Sequence, residues 1–148
     1  MNRITTRLIM TGVALTFLAG CGFADTWVRT FRTSAIYNVV DSPIAPASGK
    51  VPSLDQITKA IVVAGTDPEV KWVMAVAKPG HIVGIHNVFV HQAVVDIAYD
   101  TKTYSIKFKN ASREFRYDAA KQTIHSNYNE EIEILDNAIR ARLAAIDS

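Results

Sequence analysis

A single cysteine, Cys21, stands in the 148 residues. That excludes an internal disulfide and any metal site built on several thiolates. Charge of one sign is missing as well. The formal net charge of +2 comes entirely from Arg3 and Arg7, because the 16 Lys and Arg less those two leave 14, against 14 Asp and Glu. A chain that is neutral beyond its first residues has no electrostatic footprint for nucleic acid or for an anionic membrane surface. No serine sits in a Gly-x-Ser-x-Gly elbow, and no glycine-rich loop of the kind that cradles phosphate is present. Internal repeats are absent too. What remains is 49% hydrophobic and 20% charged, enough for one ordinary core.

The only long apolar run, Leu8 to Leu18, follows Arg3 and Arg7 and ends on small residues, the three-part pattern of a secretory signal over residues 1–20. It is shorter than the roughly 20 apolar residues needed to cross a bilayer. Leu18-Ala19-Gly20-Cys21 at its end resembles a bacterial lipobox. That resemblance implies a diacylglycerol and an N-acyl chain on Cys21, no other cofactor, and stable membrane attachment, since two or more acyl chains on one residue meet the two-signal requirement. An ordinary signal or an uncleaved anchor with a coincidental cysteine is the alternative. Gly22 follows the cysteine where an aspartate would favour inner-membrane retention, so the expected location is the periplasmic face of the outer membrane.

Residues 21–50 read as the lipidated N-terminus and a tether, with a short strand over 35–40 and a Pro/Ala/Ser linker over 41–49. Residues 51–148 read as a globular domain. Ser53-Leu-Asp-Gln56 is a capping box opening a helix whose stripe is Leu54, Ile57, Ile61 and Ala64, with Gly65 placed as its left-handed closing residue. Alternation then predicts strands over 70–76, 81–90, 92–99 and 103–109, joined by Lys78-Pro-Gly80 and Asp100-Thr-Lys102. In the last, Tyr104, Ile106 and Phe108 share one face, and Ser105 and Lys107 the other, which must stay wet. A short extended piece is expected at Glu114 to Tyr117. The final helix puts Tyr128, Ile132, Leu135, Ile139, Leu143 and Ile146 on one stripe, with Asn127 as its cap and Glu130, Glu131 and Glu133 in its early turns. The expected fold class is α+β, a two-layer sandwich of an antiparallel sheet of about four strands with two helices on one face.

The segments Ala93-Val-Val-Asp-Ile97, Tyr104-Ser-Ile-Lys107, Tyr117-Asp118 and Ile124-His-Ser-Asn-Tyr-Asn129 resemble a family of small uncharacterised Gram-negative envelope lipoproteins over most of residues 51–146. His81, His86 and Phe89 depart from its pattern. The resemblance implies a location and a fold type but no reaction.

Two clusters are candidates for function. Tyr99, Tyr104, Tyr117, His125, Asn127, Tyr128 and Asn129 have the composition of a recognition surface for an envelope protein, a peptide or a cell-wall component. Core tyrosines, a cap and a loop-bound histidine account for the same residues. His91, Asp96 and His125 would be the basis of a small-ligand or metal-binding enzyme, although no two histidines have local ligand spacing. The leading expectation is a non-enzymatic binding or envelope-assembly module without a catalytic residue or metal. A purely structural lipoprotein is the remaining alternative, and the oligomeric state is open.

Overall fold

The structure, a computed structural model, describes residues 32–89 and 91–146. The signal over 1–20, the lipidation site Cys21 and the tether as far as residue 31 lie outside the described residues.

Helix α1 spans Leu54–Gly65, and its start is the expected capping box. The Gln56 N–H donates to Ser53 Oγ at 3.3 Å, while the Ser53 N–H donates to Gln56 Oε1 at 2.8 Å. Two donors that the first turn leaves unpaired are thereby satisfied. Gly65, however, is not a left-handed closer: the helix continues through it and the cap residue Thr66 has φ −83°. The glycine is there for space. A Cβ at this position would lie 1.8 Å from Met74 Cε.

Four strands follow as a meander, β3 (Trp72–Lys78), β4 (His81–Val88), β5 (His91–Tyr99) and β6 (Thr103–Ala111), each antiparallel to the next. Gly80, at φ +81°, supplies the positive dihedral that the Pro79-Gly80 turn needs. Asp100 Oδ1 accepts from the N–H groups of Lys102 and Thr103 at 2.6 and 2.7 Å and so closes the next turn.

The sheet is wider than expected. A fifth strand, β2 (Val39–Pro43), pairs antiparallel with β6, giving the order β2-β6-β5-β4-β3. Part of the sequence that reads as linker is therefore strand. Pro43 is compatible with it because β2 lies at the edge, where a missing N–H is tolerated. A bulge at Asp41, φ 48°, breaks its register. Farther upstream, β1 (Thr33–Ala35) forms a separate two-stranded ladder with β7 (Thr123–His125).

The extended piece expected at Glu114 to Tyr117 is instead a 3-10 turn over Arg113–Phe115 followed by Arg116 at φ 51°. Helix α2 spans Ser126–Ala144, and its cap is His125, whose Nδ1 accepts from the Asn127 N–H at 3.2 Å. Asn127 is thus the donor and not the cap. The first turn holds no acidic residue, so Glu130 and its neighbours start one turn later than the dipole argument wants.

Both helices cover one face of the sheet. Register places Trp72, Met74, Ile82, His86, Val95, Ile97, Tyr99, Tyr104, Ile106 and Phe108 on that face. From α1, Thr58 Oγ1 lies 2.7 Å from Tyr99 Oη and Gly65 abuts Met74. From α2, Asp136 meets Tyr104, and Tyr128 meets the ring of Phe108 edge-on at 5.5 Å. Ile57 and Ile61 of α1 and Ile132, Leu135 and Ile139 of α2 complete a single core.

On the opposite face Val73 and Lys107 are exposed, and Val83, Ile85 and Val94 are half-buried. Ser105 departs from the expected wet face, for it is buried. No helix covers it. The bulge of β2 does, with the Asp41 N–H donating to Ser105 Oγ at 2.9 Å and Ser105 donating back to Asp41 Oδ1 at 3.2 Å.

Candidate functional site

On the open face three strands bring His81, Asp96 and Lys109 together. His81 opens β4 beside the Pro-Gly turn, and Asp96 sits in mid β5. Lys109 is the extra residue where the β5–β6 register slips, since Val94 pairs with Asn110 and Val95 with Phe108. The bulge aims its ammonium back along the sheet. Asp96 Oδ1 accepts from Lys109 Nζ at 2.9 Å and pairs with His81 Nε2 at 2.8 Å. Partial burial works to raise the Asp96 pKa, but the hydrogen bonds from Lys109 and His81, with their charges, outweigh it and hold the carboxyl below the ordinary range. Lys107 stands directly across from Asp96 on β6. Beside this charged strip runs an apolar one, Val73, Val83, Ile85 and Val94. The face therefore places apolar side chains and fixed charge side by side.

The seven residues proposed as a recognition surface are not gathered on one exposed patch. Tyr99, Tyr104 and Tyr128 are 7%, 1% and 0% exposed, part of the core. Their signal was in the spacing, because Tyr99 shares parity with Ile97, and Tyr104 with Ile106. Tyr117 is exposed and its ring rests on Phe108 at 4.6 Å between centroids. Asn129 is a clamp. It donates to Ser34 Oγ and to the Ala35 carbonyl at 3.0 and 2.9 Å, and accepts from the Tyr37 N–H at 3.0 Å. With His125 capping α2 and Asn127 bonded to that cap, this corner fastens β1 to α2.

His91, Asp96 and His125 are not assembled either. His91 shares the inner face of β5 with Ala93 and meets Phe115 edge-on at 5.6 Å, whereas Asp96 points to the open face. Among the described residues no three histidines, cysteines or carboxylates are grouped to hold a metal.

Two buried polar features escaped the sequence. Tyr104 Oη donates to Asp136 Oδ1 in the core, and Arg140 Nε donates to Asp136 Oδ2 at 2.9 Å. Burial first, and the bond to Asp136 second, push the Tyr104 hydroxyl up to about 12. His86 lies 2% exposed on the inner face, its ring 5.0 Å from that of Trp72. Its Nε2 is 3.4 Å from Glu131 Oε2, within ion-pair reach but not aligned as a hydrogen bond, and neither of its nitrogens nor Trp72 Nε1 has a hydrogen-bond partner.

Compared with protein-family models, curated proteins and solved structures, the chain matches none.

Proposed function

We propose that this chain is a lipoprotein at the periplasmic face of the outer membrane, held by acyl chains on Cys21, and that it serves there as a non-enzymatic binding or envelope-assembly module. The observation that carries the reading is Leu18-Ala19-Gly20-Cys21 at the end of the one long apolar run, with Gly22 rather than aspartate behind it. A domain of about a hundred residues on a short tether gains local concentration at the membrane and little else, which suits a module that captures a neighbour. The open sheet face is the surface it presents, and its partner is an envelope protein, a peptide or a cell-wall component.

The test has two parts. Cys21→Ala should leave a soluble or unprocessed protein, and fractionation of that variant with the outer membrane exactly as the parent would overturn the anchor. Photo-crosslinkers at Val73, Ile85 and Lys107, in living cells, should capture one partner at all three positions. Clean anchoring with no crosslink would instead favour a purely structural lipoprotein.

A further inference from the structure

Phe89, at the turn between β4 and β5, is 100% exposed and has φ 53°. Both facts run against folding. A bulky residue in the left-handed region is strained where asparagine or glycine would not be, and a phenylalanine in water forgoes burial. Strain of this kind at an exposed tip points outward, to something the domain meets.

The position of the turn says what that is. Val88 pairs with His91 across it, the His91 ring packs on Phe115, and Phe115 faces Tyr128 with 6.4 Å between centroids. Tyr128 belongs to the first turn of α2, just after the β7 residue His125 that pairs with Thr33. The Ser126 N–H donates to the Arg32 carbonyl at 2.9 Å. The first described residue thus enters at the end of the domain from which the Phe89 turn projects, whereas the turns at Gly80 and Asp100 lie at the other end. Arg32 follows Cys21 by eleven residue steps. At about 3.3–3.6 Å each they reach roughly 36–40 Å, so a lipid on Cys21 keeps this end within that distance of the bilayer.

We infer that Phe89 seats in the acyl boundary of the same leaflet that holds the Cys21 lipid, fixing the domain with its tethered end down. The inference rests on the acylation proposed above. Arg32, Arg113 and Arg116 share this end with Glu114 and Glu130, a small net charge, so the contact argued from Phe89 is apolar and does not rest on an anionic headgroup. One buried aromatic shifts a bound-to-free ratio by about one to two orders of magnitude, too little to recruit a free protein but enough to orient a tethered one.

The experiment uses the acylated full chain in vesicles of neutral phosphatidylcholine. With Cys21 consumed by lipid, a second cysteine takes a nitroxide alone. The label goes at Asn87, beside the turn, or at Lys102, at the other end, and its accessibility to oxygen is compared with that to a nickel chelate. The Asn87 label should read bilayer depth in high and low salt alike, and Phe89→Ser should return it to water with at least a tenfold loss of the immersed population. Lys102 should read water throughout. A protein that floats with the vesicles while its Asn87 label stays aqueous overturns the seating of Phe89 and leaves acylation intact. So does a label immobilised without oxygen enrichment, which would mark a protein contact. A chain without acyl mass that fails to float overturns the acylation reading, and this inference with it.

Discussion

The hydroxyl of Tyr104 in β6 donates to the carboxylate of Asp136 in α2, thirty-two residues away and shielded from water. This bond, with Arg140 on the second oxygen, fixes the register of α2 on the sheet. Tyr104→Phe leaves the ring volume in place but removes one donor from a buried carboxylate. It should cost about 1–3 kcal/mol in urea unfolding. A loss below a few tenths would show that Arg140 alone satisfies Asp136.

The same hydroxyl sets an alkaline limit. Its folded pKa of about 12 lies above the roughly 10 of an unfolded tyrosine, so the folded state binds the proton more tightly. That stability is fully present below pH ~10 and is lost as pH rises from there toward 12. Burial pushes Tyr128 up as well, and adds to the fall. In Tyr104→Phe the slope of unfolding free energy against pH above 10 should be shallower than in the parent.

Gly65 and Met74 should be coupled. Gly65→Ala forces the Met74 side chain away and should cost about 1–3 kcal/mol. In a Met74→Ala background the same change should be stabilising by up to about 1 kcal/mol, as alanine normally is in a helix. A double-mutant cycle measures the difference, and additivity would refute the packing account.

His86 offers a test of opposite sign. Replacing it with leucine removes two buried nitrogens that have no hydrogen-bond partner, and frees half-exposed Glu131 to water. His86→Leu should therefore raise the urea midpoint, by an amount corresponding to about 1 kcal/mol of unfolding free energy. A lowered midpoint would show that the attraction to Glu131 outweighs the burial of the ring.

Much of this fold was legible because its strands alternate. Tyr104, Ile106 and Phe108 announced a dry face, and Ser53 with Gln56 announced a helix start, each through a local rule that the tertiary structure obeys. The fifth strand was half legible: the strand expected over 35–40 overlaps it at Val39 and Val40, but Pro43 and the bulge at Asp41 hid the rest, since an edge strand with a break in it reads as linker. Gly65 was misread for a different reason: a glycine near a helix end signals a left-handed cap, and nothing local reveals a methionine from β3 lying against it. The open-face group of His81, Asp96 and Lys109 needs the slip in the β5–β6 register, which no pattern in either strand encodes. The tyrosines were weighed by their chemistry when parity already placed two of them, Tyr99 and Tyr104, inside.

The ladder between β1 and β7 has a mechanical meaning. Any pull on the chain upstream of Arg32 is borne first by the bond from the Ser126 N–H to the Arg32 carbonyl, then by three residue pairs, Thr33 with His125, Ser34 with Ile124 and Ala35 with Thr123, and by the three hydrogen bonds of Asn129. This small unit bears the load before the five-stranded sheet does. Under such a pull it should give way before the larger sheet, releasing several residues of chain while the core holds.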